Sequence, residues 1–249
     1  MNKKVAVIGA TGFVGKKVVN ELSSRGYEVN AIARDSSKIE TKNNVNAISA
    51  DVNNTEEFAR ILKGNDAVIS TFNPGWNNPN IYDDFLNGAK NIEVAVEKSG
   101  IKRFITVGGA GSLFIDGKQL VDGPNFPAEI KPGAVAAREY LEILKKNENL
   151  DWTFFSPAIE MGPQSEGART GVYRTDLENP VFNENGRSML SVEDDALVLV
   201  DKLEQNNFVK KRFKKKKKKS LSKILKFKTL LKHFTLTKFF LLHQLVEIF

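Results

Sequence analysis

Val5-Ala6-Val7-Ile8 runs directly into Gly9-Ala10-Thr11-Gly12-Phe13-Val14-Gly15, and this junction limits what the chain can fold into more than any other segment. Four apolar residues closed by glycine read as a short buried strand. Beyond it, Phe13, Val14, Val18, Val19 and Leu22 share one helical face, and Gly26 ends the helix begun near Gly12. Each glycine then has a separate task. Gly9 permits a sharp turn, Gly12 lets backbone approach a pyrophosphate, and Gly15 allows the helix to pack closely on the strand. The free N–H groups and positive dipole of the helix N-terminus complete a phosphate cradle. The spacing therefore predicts a dinucleotide site.

The rest of the chain alternates in the same way. Strands are expected at Val29–Ala33, Val45–Ala50, Ala67–Ser70, Phe104–Val107 and Trp152–Phe155. Helices are expected between them: one capped by Thr55, one through Phe85, Ala89, Ile92 and Val96 that stops at Gly100, and one opened by Pro132. A last helix starts at Ser191, with Asp194 three residues on. Six short apolar strands separated by helices give an α/β fold, Rossmann-like, doubly wound, with a mainly parallel sheet in a single domain. The Gly-, Pro- and Asn-rich stretches 109–131 and 156–190 fall at strand carboxyl ends, where ligands bind in this architecture.

Charge divides the chain sharply. The net charge is +7, yet residues 1–213 carry 26 Lys/Arg against 29 Asp/Glu, and residues 214–249 carry 11 Lys against one Glu. Both histidines, His233 and His243, lie in the second part, and there is no cysteine. The body is expected to have no metal site, no Ser-His-Asp chemistry and no thiolate nucleophile.

Further site residues follow from the strand ends. Gly9, Ala10, Thr11, Gly12, Phe13, Val14 and Gly15 form the phosphate loop. Arg34, just after the second strand, suits the 2′-phosphate of NADP, with Asp35 beside it as the competing ribose ligand of an NAD site. Asp51 and Val52 are placed to meet the adenine. Thr71 and Phe72, with Val107, Gly108 and Gly109, end the strands beside the nicotinamide path. Ser112 is the candidate catalytic residue, able to hydrogen-bond an acceptor or else to stabilise a turn, and Arg169 could grip an acceptor's phosphate or carboxylate, or else pair with Glu166 or Asp176. Phe126, Phe155 and Trp76 are the aromatic candidates for the substrate wall, with a packing role the favoured alternative for each.

Together these segments resemble the atypical short-chain dehydrogenases/reductases. The resemblance rests on Gly9 to Gly15, Ala33-Arg34, Asp66 to Ser70, Val107 to Leu113, Phe126-Pro127-Ala128-Glu129 and Asp151-Trp152-Thr153-Phe154. Ser156-Pro157-Ala158, Arg169-Thr170-Gly171 and Ser191-Val192-Glu193-Asp194 extend it, and it covers residue 1 to about Phe213. The chain is most similar to the bacterial NAD(P)H–flavin reductase group, related to NmrA-like regulators and biliverdin reductase B. The resemblance implies NAD(P)H binding and flavin reduction, and it adds Pro157 to the cofactor-binding set.

Typical members of that superfamily use a Tyr-x-x-x-Lys pair for proton transfer. Here Tyr140 and Lys145 are five apart, which places them about 140° apart around a helix. Ketone reduction needs a proton donor at the developing alkoxide, whereas hydride transfer to a flavin mainly needs two stacked rings. The expected activity is hydride transfer from NADP(H), favoured over NAD(H), to a flavin or quinone-like acceptor. The alternative is a non-catalytic NADP-binding sensor of the NmrA type.

Lys214 to Lys219 open a tail whose last 30 residues contain no Gly, Ala, Pro, Asp, Asn or Arg. A lysine homopolymer is a natural slippage site, so 214–249 reads as a frameshift product, disordered or loosely helical. The competing reading is an amphipathic anchor through Leu221, Ile224, Leu225, Leu231 and Phe234 touching anionic membrane. Nucleic acid is not an expected partner. The apolar run after the Lys3-Lys4 start is too short for a signal core, and no run spans a membrane, so the expected location is cytoplasmic.

Overall fold

The computed structural model describes residues 3–216 apart from 172, 177, 178, 181 and 183–185. In chain order the elements begin with β1 (Lys4–Ile8), α1 (Phe13–Ser24), β2 (Glu28–Ala33) and β3 (Val45–Ser49). They continue with α2 (Thr55–Leu62), β4 (Ala67–Ser70), α3 (Ile81–Ser99) and β5 (Arg103–Val107). A small hairpin follows, β6 (Phe114–Ile115) and β7 (Lys118–Gln119), then α4 (Lys131–Leu144) and β8 (Asp151–Ser156). The last elements are β9 (Arg174–Asp176), α5 (Val192–Glu204) and β10 (Lys211–Lys216).

The main sheet has the order β3-β2-β1-β4-β5-β8-β10-β9. Every pairing is parallel except β10 with β9. This is the Rossmann-like α/β fold. Because side chains alternate along a strand, β1 feeds both faces: Val5 and Val7 pack with α1 and α5, and Ala6 and Ile8 pack with α2, α3 and α4. From β1 the chain winds outward through β2 and β3, then returns to build β4 and β5 on the other side. That reversal opens a crevice above the carboxyl ends of β1 and β4.

Several local expectations are corrected. Asn54, not Thr55, caps α2: its side-chain oxygen accepts from the Glu57 N–H, and its amide donates to the Glu57 carboxylate at 2.6 Å. The stretches 109–131 and 156–190 are not bare loops, since they contain the hairpin, short 3-10 turns and β9. The sheet has eight strands among the described residues rather than six. Of the additional two, β9 is three residues long, and β10 begins with Lys211-Arg212-Phe213, where the resemblance implies a last strand, and runs on into lysines that composition does not mark as strand.

β10 also runs past Phe213, the boundary read from the sequence. Lys214 pairs with Ser156 on one side and Asp176 on the other, so half of the six-lysine run continues the strand. The proposed frameshift product or membrane anchor beyond Lys216 lies outside the described residues. Phe213 anchors β10. It is fully buried, with ring centroids 5.1 Å from Phe155 and 5.0 Å from Phe208. Phe213→Ala is expected to cost about 3–5 kcal/mol in denaturant unfolding; a loss below about 1 kcal/mol would show that β10 is dispensable.

Candidate functional site

The phosphate loop is held by very close backbone contacts. Gly9 has φ +78°, a left-handed conformation that disfavours any side chain, and its N–H donates to the Ile32 carbonyl at 3.0 Å. A Cβ on Gly15 would lie 2.1 Å from the Gly9 carbonyl oxygen, so the first turn of α1 and the strand end meet through glycine alone. The Thr71 hydroxyl braces the turn from β4, donating to the carbonyls of Ile8 at 2.9 Å and Gly9 at 3.2 Å.

This geometry aims the start of α1 into the crevice. The helix begins at Phe13 with Gly12 as its cap, no capping side chain and no acidic residue in the first turn. In α2, α3 and α5, by contrast, carboxylates sit in the first turn. Helix geometry leaves the Phe13, Val14 and Gly15 N–H groups without intrahelical acceptors, so the start of α1 is suited to an anion.

The crevice has a volume of about 900 Å³, near the top of the usual ~300–1,000 Å³ range for ligand sites. It is lined from the loop by Gly9, Thr11, Gly12, Phe13 and Val14. One half continues to Arg34 after β2 and to Asp51 and Val52 after β3. The other reaches Thr71 and Phe72 after β4, and Val107 and Gly108 after β5. The structure thus gathers most of the expected cofactor residues in one cavity. Ala10 instead faces a smaller cavity of about 360 Å³ between α1 and Lys38–Glu40. Gly15, Gly109 and Pro157 are not among the lining residues of either.

Arg34 and Asp35, adjacent in sequence, are used differently. Asp35 folds back on a short turn, accepting from the Ser37 N–H at 3.1 Å and its hydroxyl at 2.6 Å and pairing with Lys38 at 3.3 Å. These hydrogen bonds, the Ser37 hydroxyl's first, hold its carboxyl below the ordinary range. Arg34 is exposed at the crevice, with no ion pair or hydrogen bond among the described residues.

Of the five residues expected at the substrate end, Trp76 lines the crevice and the other four are placed elsewhere. Ser112 is 2% exposed, and the Arg212 guanidinium donates to its carbonyl at 2.7 Å and its hydroxyl at 3.2 Å. Phe155 is fully buried against Phe213. Phe126 is half-buried outside the lining of the crevice. Arg169 makes a two-pronged pair with Glu21 of α1, its Nε donating at 2.9 Å and Nη2 at 2.7 Å. Of the two roles read for Arg169 it takes the ion pair, with Glu21 as the described partner in place of Glu166. Nothing near Glu21 in sequence announced that contact, which spans 148 residues.

The side chains that wall this end come from loops: Phe72, Pro74, Trp76, Ile130, Met161 and Gln164. Trp76 is 54% exposed at the mouth. The segment carrying Met161 to Gln164 is fastened a few residues on. Lys17 bridges Glu166 at 3.1 Å and Glu193 at 2.9 Å, and the Thr170 and Gly171 N–H groups both donate to Asp194 at 2.9 Å. Asp194 lies in the first turn of α5. Its carboxylate side chain thus ties the strap to the sheet-packed helix.

Tyr140 and Lys145 do not meet. Tyr140 is 1% exposed in the core, where burial first and the Glu93 carboxylate second push its hydroxyl well above the ordinary tyrosine range. Lys145 pairs with Glu142 at 2.7 Å on the surface. Among the described residues, no group of three or more His, Cys, Asp or Glu side chains is arranged to hold a metal ion.

A glycine-cornered phosphate loop at the switch point of a parallel α/β sheet defines a dinucleotide-binding protein. The chain belongs to the NAD(P)H-binding family, which it matches over residues 9–206. It is 33% identical to the uncharacterised Bacillus subtilis protein YwnB over 213 residues, covering 84% of this chain and 96% of that one. A solved structure from Bacteroides thetaiotaomicron, described as a candidate epimerase, is 41% identical with a TM-score of 0.81, covering 88% of this chain and 99% of that one. Another from Streptococcus pneumoniae, described as a candidate NADH-flavin reductase, is 38% identical with a TM-score of 0.73, covering 87% and 100%.

The Glu21–Arg169 pair supplies a test of where Arg169 acts. The Arg169 guanidinium, with Arg25, holds the Glu21 carboxyl below its ordinary 4.5. That pairing stabilises the fold above pH 4.5 and is lost as pH falls through the lower folded value. Arg169 is half exposed, so Arg169→Met is expected to cost about 1 kcal/mol at neutral pH and to narrow the acid-stable range. NADPH affinity should change by less than about twofold. Unchanged stability together with a large loss of ligand affinity would contradict the ion-pair role.

Proposed function

We propose that the protein is an NAD(P)H-dependent reductase that passes hydride to a flavin or similar planar acceptor, with NADP(H) favoured over NAD(H). The observation carrying this reading is the crevice itself, which joins the uncapped start of α1 to an apolar, aromatic-walled end at β4 and β5. The loop N–H groups of α1 would hold the pyrophosphate. Arg34, exposed at the β2 side, would meet the 2′-phosphate, and the turn that occupies Asp35 supports that choice over a ribose-binding carboxylate. The bound nicotinamide supplies the hydride. Phe72, Val107 and Gly108 would form the floor on which its ring lies, and Trp76 and Met161 would cover the acceptor and exclude water.

Epimerisation and ketone reduction both require a side chain that moves a proton at the reacting carbon or oxygen. Tyr140 is sealed in the core and Lys145 is paired on the surface, so that dyad is not available from these residues. Hydride transfer to a flavin makes no such demand, because solvent can deliver the proton afterwards. The Streptococcus pneumoniae neighbour's description agrees with this choice, and the Bacteroides one does not. Among the described residues no helix is long and apolar enough to cross a membrane. A cytoplasmic setting, where NADPH is supplied, fits the proposed reaction.

The test is NADPH and NADH oxidation by the purified full chain with riboflavin, FMN and a quinone as acceptors. Turnover with at least one acceptor is expected. Arg34→Ala should weaken NADPH binding by about tenfold to a hundredfold and leave NADH nearly unchanged, as loss of a charge-assisted phosphate contact would. Tight NADP+ binding without turnover of any acceptor would overturn the reductase reading in favour of an NmrA-like sensor.

A further inference from the structure

The charges of the crevice are unevenly spread, and they bear on what enters its acceptor end. Sheet order puts the adenosine side at β2 and β3 and the ring side at β4 and β5. Arg34 is the one cation among the described lining residues, and it belongs to the adenosine side. On the ring side the polar groups are neutral amides, Asn73, Asn78, Asn87 and Gln164, and the one charge is the Asp84 carboxylate. Asp84 is exposed and accepts a single hydrogen bond there, from the Asn78 amide at 2.7 Å.

The arginines of 156–190 whose side chains are described are engaged. Arg169 is gripped by Glu21, and Arg187 pairs with Glu160. Lys131, next to Ile130 in the chain, is not among the lining residues. The N-terminus of α3 borders this half and would ordinarily attract an anion, but Asp83 and Asp84 occupy its first turn. A phosphate brings about −1.5 to −2 charges. Here it would leave water for a wall whose described lining residues include a carboxylate and no cation. An uncharged ring system finds the opposite: Phe72, Trp76, Ile130 and Met161 to stack against, and amides for its heteroatoms.

Resting on the reductase reading, we propose that the acceptor is an uncharged planar ring system, and that the ring end selects a flavin lacking phosphate over its phosphorylated form. The experiment is equilibrium titration of riboflavin and FMN, followed by flavin fluorescence, into the full-length protein saturated with NADP+, for wild type and Asp84→Asn. NADPH oxidation is measured on the same samples. Riboflavin is expected to bind about tenfold more tightly than FMN, and Asp84→Asn to narrow that ratio by about threefold, as removal of one partly screened like charge would. FMN binding as tightly as riboflavin, a ratio indifferent to Asp84→Asn, or no flavin binding at all would overturn the proposal. Riboflavin selectivity without any NADPH oxidation would instead overturn the reductase reading and leave the charge selection standing.

Discussion

The Gly9 carbonyl, the Gly15 Cα and the Thr71 hydroxyl share a space with no room for one more methyl group: a Cβ on Gly15 would meet Gly9 at 2.1 Å and Thr71 at 2.8 Å. Much else follows from that contact. It brings the first turn of α1 hard against the end of β1, which turns the unbonded N–H groups of Phe13 and Val14 toward the crevice rather than along the surface. It also locks β4 to the loop through Thr71, so the two strands flanking the topological switch are held at a fixed separation at their carboxyl ends. Packing on both faces of β1 then makes the whole arrangement rigid.

The opposite wall is built differently. Met161 to Gln164 come from a connection with little regular structure, and charged groups on α1 and α5 hold it in place. Glu21 and Lys17 on α1, with Glu193 and Asp194 on α5, each take a partner from residues 166–171. Exposed pairs such as Lys17–Glu166 contribute little to stability singly. The backbone N–H groups fixed on Asp194 do more, because they set the position of the strap itself.

Local signals carried most of the fold and the cofactor half of the site. Strand ends at Ile8, Ala33, Ser70 and Val107 were legible because apolar runs stop at Gly, Arg, Thr or Gly, and parallel order follows from alternation with helices. β10 was partly hidden, since Lys214–Lys216 join the sheet only by pairing with β8 and β9. The acceptor end was the least legible part. Phe155 and Ser112 sit at strand ends like true site residues, yet Phe213 and Arg212 of β10 cover them, and no local pattern reports a contact made 100 residues away. Trp76 was a candidate by its aromatic type alone, while Ile130 and Gln164 lie in loops without periodicity, so only the folded chain brings them to the crevice.

The central claim is that one crevice holds a nicotinamide dinucleotide with its phosphates on α1 and its reactive ring between β4 and β5. A crystal structure of the full chain grown with NADP+ tests it most directly. The pyrophosphate is expected within hydrogen-bond reach of the Phe13 and Val14 N–H groups, about 2.7–3.2 Å, with the 2′-phosphate at Arg34 and the nicotinamide beside Thr71 and Gly108. A cofactor seated instead in the smaller cavity between α1 and Lys38, or a ring lying toward β3, would contradict it.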